Sequence, residues 1–441
     1  MDYEVQLMPH CLLLICLFFS PLVFAAGPIA NAGDIRVDGD RLNKTMQHMR
    51  NFGENAAGGS DRVAYSEHNL AALGYLAHLM AESGLVTKID VAGNLVGRRE
   101  GQIDGLAPIV TGSHIDTVPN GGHYDGIVGV MSAVEVARSL RDAGMALDHP
   151  LEVIVWSNEE GGKNGSRSFT GAVADREMAL PSLGAKTIGD GIAFLGGDPQ
   201  QLATNIRQPG NIAGYIELHV EQGAMLDREG IAIGVVEGIV GIKRWYITIT
   251  GFANHAGTTP MDQRQDALYP AALIIAEVRK IITDEPGRQV GTVGRLDIKP
   301  GAPNVIPGEV MFSLEIRDLD MGKVNRLFAR ISAVATAIAA ANGTHISFNQ
   351  YYESPAAPTD KRLMALVKQS ADALGLSNLA MPSGAGHDAQ SMKDIAPLGM
   401  IFVPSKDGIS HAPGEFTSPQ QITNGANVLL QTVVAMDRLL R

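Results

Sequence analysis

A chain of 441 residues, 45% apolar and 19% charged, is globular and too long for one ordinary domain, so two domains are expected. Its 47 acidic residues outnumber 35 basic ones, and the net charge of −12 argues against nucleic acid or an anionic membrane surface as a partner. A small molecule or a peptide is the expected substrate.

Residues 11–25 form an apolar run too short for a comfortable transmembrane helix, and Val23-Phe24-Ala25 resembles a small-residue cleavage site. The sequence therefore predicts a signal peptide over 1–25, export to a periplasmic or secreted location, and no membrane contact after cleavage. The segment departs from the usual pattern in having Asp2 and Glu4, and no Lys or Arg, ahead of the run; a retained membrane anchor is the alternative. Both cysteines, Cys11 and Cys16, fall inside it, so the mature chain is expected to have neither a disulfide nor a thiol nucleophile.

From Asp34 onward the pattern is that of a folded domain. Residues 43–51 and 66–83 read as helices, the second with Leu70, Leu73, Leu76 and Met80 on one stripe. Residues 86–91 and 94–99 alternate as strands around Ala92-Gly93, and the apolar run 108–110 begins a buried strand. That strand opens into a Gly-rich turn, 111–126, carrying His114, Asp116, His123 and Asp125. His114 and Asp116 are two apart on extended backbone and point the same way, so one can bind a metal while the other orients it. His123 is assigned to packing or hydrogen bonding.

An apolar helix over 127–143 is followed by a buried strand, 152–157, that ends in Glu159-Glu160. Strands alternating with helices imply an α/β sheet with sites at strand ends. Adjacent glutamates after a strand are usually solvated turn residues. Beside a metal, Glu160 as ligand and Glu159 as free base would divide the work that a hydrolytic site needs. The strand around 216–220 carries His219 with Gln222 after it, and His411 lies in a loop after the strand 399–403. Each of these histidines counts only in combination with the others.

Residues 241–353 read as an insertion. Strands are expected at 243–250, 290–299, 310–317 and 345–352, with helices at 265–282 and 321–341, in the β-α-β-β-α-β order of a ferredoxin-like unit. His255, in a polar loop after its strand, could donate to a developing oxyanion, while Asn304 and Arg317 could grip a carboxylate, Arg317 bidentately. The chain then returns with a helix at 360–374, a Gly-rich loop at 382–389 and a helix at 417–440 beginning at Ser418-Pro419.

Taken together, Gly112-Ser-His-Ile-Asp-Thr, Gly121-Gly-His-Tyr-Asp-Gly, Ser157-Asn-Glu-Glu-Gly, Glu217-Leu-His-Val-Glu-Gln-Gly, Asn254-His-Ala-Gly-Thr-Thr-Pro-Met, Ser383-Gly-Ala-Gly-His-Asp-Ala and Gly408-Ile-Ser-His resemble the M20-type metal-dependent hydrolases. The likeness is to their amidase and carbamoylase branch, which includes N-carbamoyl-L-amino acid hydrolases, β-ureidopropionases, allantoate amidohydrolases and ureidoglycolate hydrolases. It spans nearly all of the mature chain. The resemblance implies a metallopeptidase-like α/β catalytic domain with a mixed sheet flanked by helices, formed by 34–240 and 354–441. It also implies that 241–353 serves as lid and dimerisation domain, making the protein a homodimer.

The resemblance further implies two divalent ions per subunit, Zn²⁺ or Mn²⁺, although Co²⁺ and Ni²⁺ suit the same ligands. His114, Asp125, Glu160, His219 and His411 would be the ligands, with Asp125 bridging. Asp116 would hold His114, and Glu159 would be the base. His255, Gln222, Asn304, Arg317, Gly384 and Ala385 would meet a small ureido acid, while His387 and Asp388 take a supporting role. Two other readings remain: an aminoacylase- or dipeptidase-like hydrolase, and a non-catalytic binder of ureido compounds, against which the retained Glu159 speaks.

Overall fold

The computed structural model describes residues 32–441. The signal segment expected over 1–25, with both cysteines, lies outside the described residues. In chain order the strands are β1 (Val86–Ile89), β2 (Leu95–Arg99), β3 (Ile109–His114), β4 (Leu151–Trp156), β5 (Gly214–Val220), β6 (Ile233–Ile239) and β7 (Gly241–Thr250). They continue as β8 (Val290–Thr292), β9 (Leu296–Lys299), β10 (Glu309–Asp318), β11 (His345–Ser354), β12 (Ala357–Pro358), β13 (Asn378–Ser383) and β14 (Leu398–Val403).

Nine of them form a mixed sheet in the order β1-β2-β4-β3-β5-β14-β6-β12, with β13 also on β6. Its centre, β4-β3-β5-β14, is parallel throughout, so four strands deliver their C-terminal ends to one edge. These strands are buried on both faces, which is why they read as continuous apolar runs. Alternation survives inside them: Leu151, Val153 and Val155 pack into one core, Ile154 and Trp156 into the other.

The helix Ile127–Asp142 lies inside the first core, against the sheet, the helix Gly39–Met49 and the C-terminal helix Pro419–Leu439. Covered nearly all round, it is apolar nearly all round. Val128, Val130 and Val136 are fully enclosed, and each such side chain contributes roughly 1.5–3 kcal/mol. Ser418 caps the C-terminal helix in a capping box with Gln421, with Pro419 at its first position.

The second sheet, built from residues 241–354, is antiparallel in the order β11-β7-β10-β8, with β9 also on β10. The expected strand over 290–299 is broken: β8 pairs Thr292 with Glu315, and β9 pairs Lys299 with Glu309. Helices Leu268–Asp284 and Met321–Ala341 cover one face through Trp245, Ile247, Ile249, Phe312 and Leu314. Polar contacts join the two sheets, among them Arg288 Nη1 to Glu237 Oε2 at 2.9 Å. Arg317 Nη1 donates to the Gly384 carbonyl at 2.8 Å. Gln390 Nε2 donates to Ser354 Oγ and to the Pro355 carbonyl, while its Oε1 accepts from Lys163 Nζ.

Candidate metal centre

The C-terminal edge of the parallel strands gathers residues from four loops. His114 ends β3, and His219 is the penultimate residue of β5. Glu159 and Glu160 follow β4, and His411 lies in the loop after β14. Asp125 joins them from the turn that leads into the helix Ile127–Asp142. That turn needs glycine at 126: φ there is 68°, and a Cβ would stand 2.5 Å from His114 Nε2.

Asp125 is the centre of the arrangement. Its Oδ1 lies 3.1 Å from His219 Nε2 and 3.5 Å from His114 Nε2, while Oδ2 lies 3.0 Å from His411 Nε2. His411 Nε2 in turn is 3.4 Å from Glu160 Oε1. Two sets of potential ligand atoms result, His114–Asp125–His219 and Asp125–Glu160–His411, each within 4.8 Å and sharing the aspartate. Both buried imidazoles are fixed from behind. His219 Nδ1 lies 2.9 Å from the Val220 carbonyl and His114 Nδ1 lies 3.0 Å from the Asp116 carbonyl, so each turns Nε2 toward Asp125.

The donor chemistry fits divalent ions, imidazole nitrogen and carboxylate oxygen from strand ends and the loops that follow them. A third cluster, Glu217–His219–His387, does not fit. Glu217 already accepts from Ser113 Oγ, the Tyr215 hydroxyl and the Ala389 N–H. His219 has no ligand atom left for it.

Asp116 plays a wider part than the sequence implies. Its carboxylate is 3.8 Å from His114 Nδ1, where the carbonyl of the same residue already stands closer. The carboxylate oxygens accept instead from the backbone N–H groups of Glu159 at 3.2 Å and Glu160 at 3.1 Å. Beneath this turn, Arg62 is fully buried and donates to the carbonyls of Met49, Phe52 and Ile115. Nothing in the sequence marks this arginine as internal, since charged residues are ordinarily surface residues.

Gln222 reaches the cluster: its Nε2 is 2.7 Å from Asp125 Oδ2 and 3.3 Å from His411 Nε2. Gln222, Asn158 and His411 all hold positive φ, at 58°, 53° and 55°. Such strain in non-glycine residues gathers at functional sites. His123 stays out of the cluster, its Nε2 at the Gly58 carbonyl. Ala385 offers its carbonyl to Ser383 Oγ, and its neighbour Gly384 receives Arg317. His255 and Asn304 are exposed in neighbouring loops of the second domain, where Ala256 N–H donates to the Asn304 carbonyl. The hydrogen bonds of the His255 side chain stay within its own loop, and it is not brought to the metal residues.

The chain matches the model of peptidase family M20/M25/M40 over residues 110–435. The chain belongs to that family. It is 35% identical over 409 residues to the N-carbamoyl-L-amino-acid amidohydrolase of Paenarthrobacter aurescens, covering 91% of this chain and 99% of that protein. It is 34% identical to the allantoate amidohydrolase of Bacillus subtilis, covering 87% and 94%. Among solved structures, a hydantoinase/carbamoylase family amidase from Burkholderia multivorans superposes with a TM-score of 0.84 at 34% identity, covering 91% and 98%. Like these amidohydrolases, this M20/M25/M40 protein is a hydrolase, and its two clusters of potential ligands are suited to divalent metal ions. The exported location expected from the N-terminus is corrected by the same relatives, which are cytoplasmic enzymes.

Without metal, the centre of this M20/M25/M40 chain holds protons. Burial pushes Glu160 up to about 8. The hydrogen bond to Asp125 lifts His411 to about 9. His219 is also raised, because Asp125 outweighs its burial. Metal ligation requires neutral imidazoles and ionised carboxylates, so binding must expel these protons. Affinity for Zn²⁺ or Mn²⁺ is therefore expected to rise steadily from pH 6 to pH 9, with proton release seen by calorimetry in buffers of different ionisation enthalpy. A flat pH profile would contradict this assignment.

Proposed function

We propose that the protein hydrolyses the C–N bond of an N-carbamoyl amino acid or related ureido acid such as allantoate, releasing ammonia and carbon dioxide. The observation that carries the reading is a single carboxylate, Asp125, shared between two ligand clusters, with Glu159 held beside them through Asp116. The names of the relatives supply the substrate class. They give no support to an aminoacylase- or dipeptidase-like activity or to a non-catalytic binder.

His114, Asp125 and His219 would hold one divalent ion and Asp125, Glu160 and His411 a second, zinc or manganese. Such ions supply Lewis acidity toward water and the carbamoyl oxygen. Glu159, raised in pKa by burial, stays off the ligand set. It takes the proton from the attacking water and passes it to the leaving nitrogen. His255 donates to the oxyanion, and Gln222 and Asn304 position the ureido acid. We assign residues 241–353 as lid and dimer surface, since His255 and Asn304 then reach a site that they do not touch within one chain.

Arg317 anchors the substrate carboxylate beside Gly384 and Ala385. Its Nε is held by Glu315 Oε1 at 2.6 Å, and Arg244 holds the other oxygen of that carboxylate, also at 2.6 Å. A charge-assisted bond of this kind is worth about 1.5–3 kcal/mol, and lysine cannot reproduce the fork. Arg317→Lys is expected to raise KM roughly 10- to 100-fold with a smaller change in kcat. The decisive assay is ammonia release by metal-loaded enzyme over N-carbamoyl amino acids, allantoate, ureidoglycolate and N-acyl amino acids. Activity confined to the N-acyl compounds would overturn the proposal.

A further inference from the structure

Glu415 belongs to neither ligand cluster and is 4% exposed. Buried carboxylates ordinarily pair with a cation or cap a helix. Glu415 does neither: among the described residues no lysine or arginine pairs with it, and its partners all lie on the two loops that carry Asp125 and His411. Its Oε2 accepts from the backbone N–H of Tyr124 at 2.8 Å and of Asp125 at 3.1 Å. Its Oε1 accepts from Ser410 Oγ at 3.0 Å, the residue just before His411. Ser410 Oγ also lies 3.2 Å from Asp125 Oδ2.

Two local features are consistent with this carboxylate holding the turn and the loop. A Cβ at Gly122 would collide with Glu415 Oε2 and Cδ, so the second glycine of the Gly121-Gly122 pair leaves the passage through which Glu415 reaches the turn. His411 holds φ 55° without being glycine. That conformation costs about 1–3 kcal/mol and persists only where neighbours over-determine it.

We propose that Glu415 is the positioning residue of the metal centre: it sets the Asp125 turn and the His411 loop in register, so that carboxylate and imidazole face one ion. The inference rests on the reading of Asp125 and His411 as ligands. It adds a residue that touches neither ion nor substrate and acts through the backbone of one ligand and the neighbour of the other. Outer partners of this kind typically govern metal affinity by 10- to 100-fold.

The test is chelator competition for Zn²⁺ and for Mn²⁺ on full-length, metal-stripped protein, with the melting temperature of the metal-free form measured alongside. Glu415→Ala is expected to weaken binding about 10- to 100-fold. Gly122→Ala should weaken it in the same direction, because it displaces the carboxylate without removing it. Glu415→Gln keeps a carbonyl oxygen for the two N–H groups and an amide for Ser410, and should stay within a few-fold of wild type. If Glu415→Ala does not fold, Gly122→Ala still decides. Folded Glu415→Ala or Gly122→Ala protein that binds both metals as tightly as wild type overturns the proposal. His411→Ala separates the two levels of inference. If it weakens binding and the Glu415 and Gly122 variants do not, positioning alone fails; if it too is without effect, the ligand assignment fails as well.

Discussion

Glu159→Gln is expected to lower kcat about a thousandfold while leaving metal content and KM nearly unchanged. The glutamine keeps the shape of the side chain and removes only its ability to take and return a proton. Metal content should hold because Glu159 lies outside both ligand clusters. Its position should also hold, since the carboxylate of Asp116 grips the backbone N–H of residue 159 and not the side chain. Steady-state kinetics with ammonia detection, together with metal analysis of the same preparation, measures both quantities. A variant with full turnover would remove Glu159 from the mechanism. One that had lost its metal would instead move it into the ligand set.

Asp125→Asn should have the larger effect, because it removes the charge common to both clusters. Asp125 is held well below the ordinary carboxylate range in spite of its burial, by the three imidazoles around it. Its substitution leaves His114 and His219 facing each other across a neutral amide, with ring centroids 5.8 Å apart. Since disturbing a mere outer partner costs 10- to 100-fold in affinity, loss of a shared ligand is expected to weaken metal binding by at least about 100-fold. Turnover should fall below that of Glu159→Gln. Metal content after dialysis is the measurement, and wild-type content in the variant would refute the shared-ligand reading.

The four strands that present the site were legible because each is an apolar run buried on both faces that gives way abruptly to polar or turn-forming residues. The ligand candidates could be read for the same reason: polar residues stand out sharply at the end of Ile109–His114 or after Leu151–Trp156. What could not be read is how distant loops hold one another. Glu415 looks like an ordinary loop acid until its partners at Tyr124 and Asp125 are known. Arg62 carries no local mark of burial, and Asp116 sits at the right spacing to serve His114 yet spends its carboxylate on two amides of another strand's loop. The break between Val290–Thr292 and Leu296–Lys299 went unread although Gly294 stands in it, because the one-residue shift of register that makes it lies in the pairing with β10 and not in the segment itself. The short helix Asn164–Ser168 escaped because five residues leave too little periodicity to detect.

The bond from Glu415 to Asp125 joins positions 290 apart in the chain. Contacts of such separation form late in folding, after local helices and hairpins, because the intervening loop must first be closed. On the proposed assignment, a ribosome that has released His114, Asp125, Glu160 and His219 has made most of the ligand set, but not His411 or Glu415. The last stretch of the chain supplies both, together with the helix Pro419–Leu439 that packs against Ile127–Asp142. On the same assignment, chains that stop short of His411 and Glu415 would lack both, and full metal binding is expected only of the completed chain.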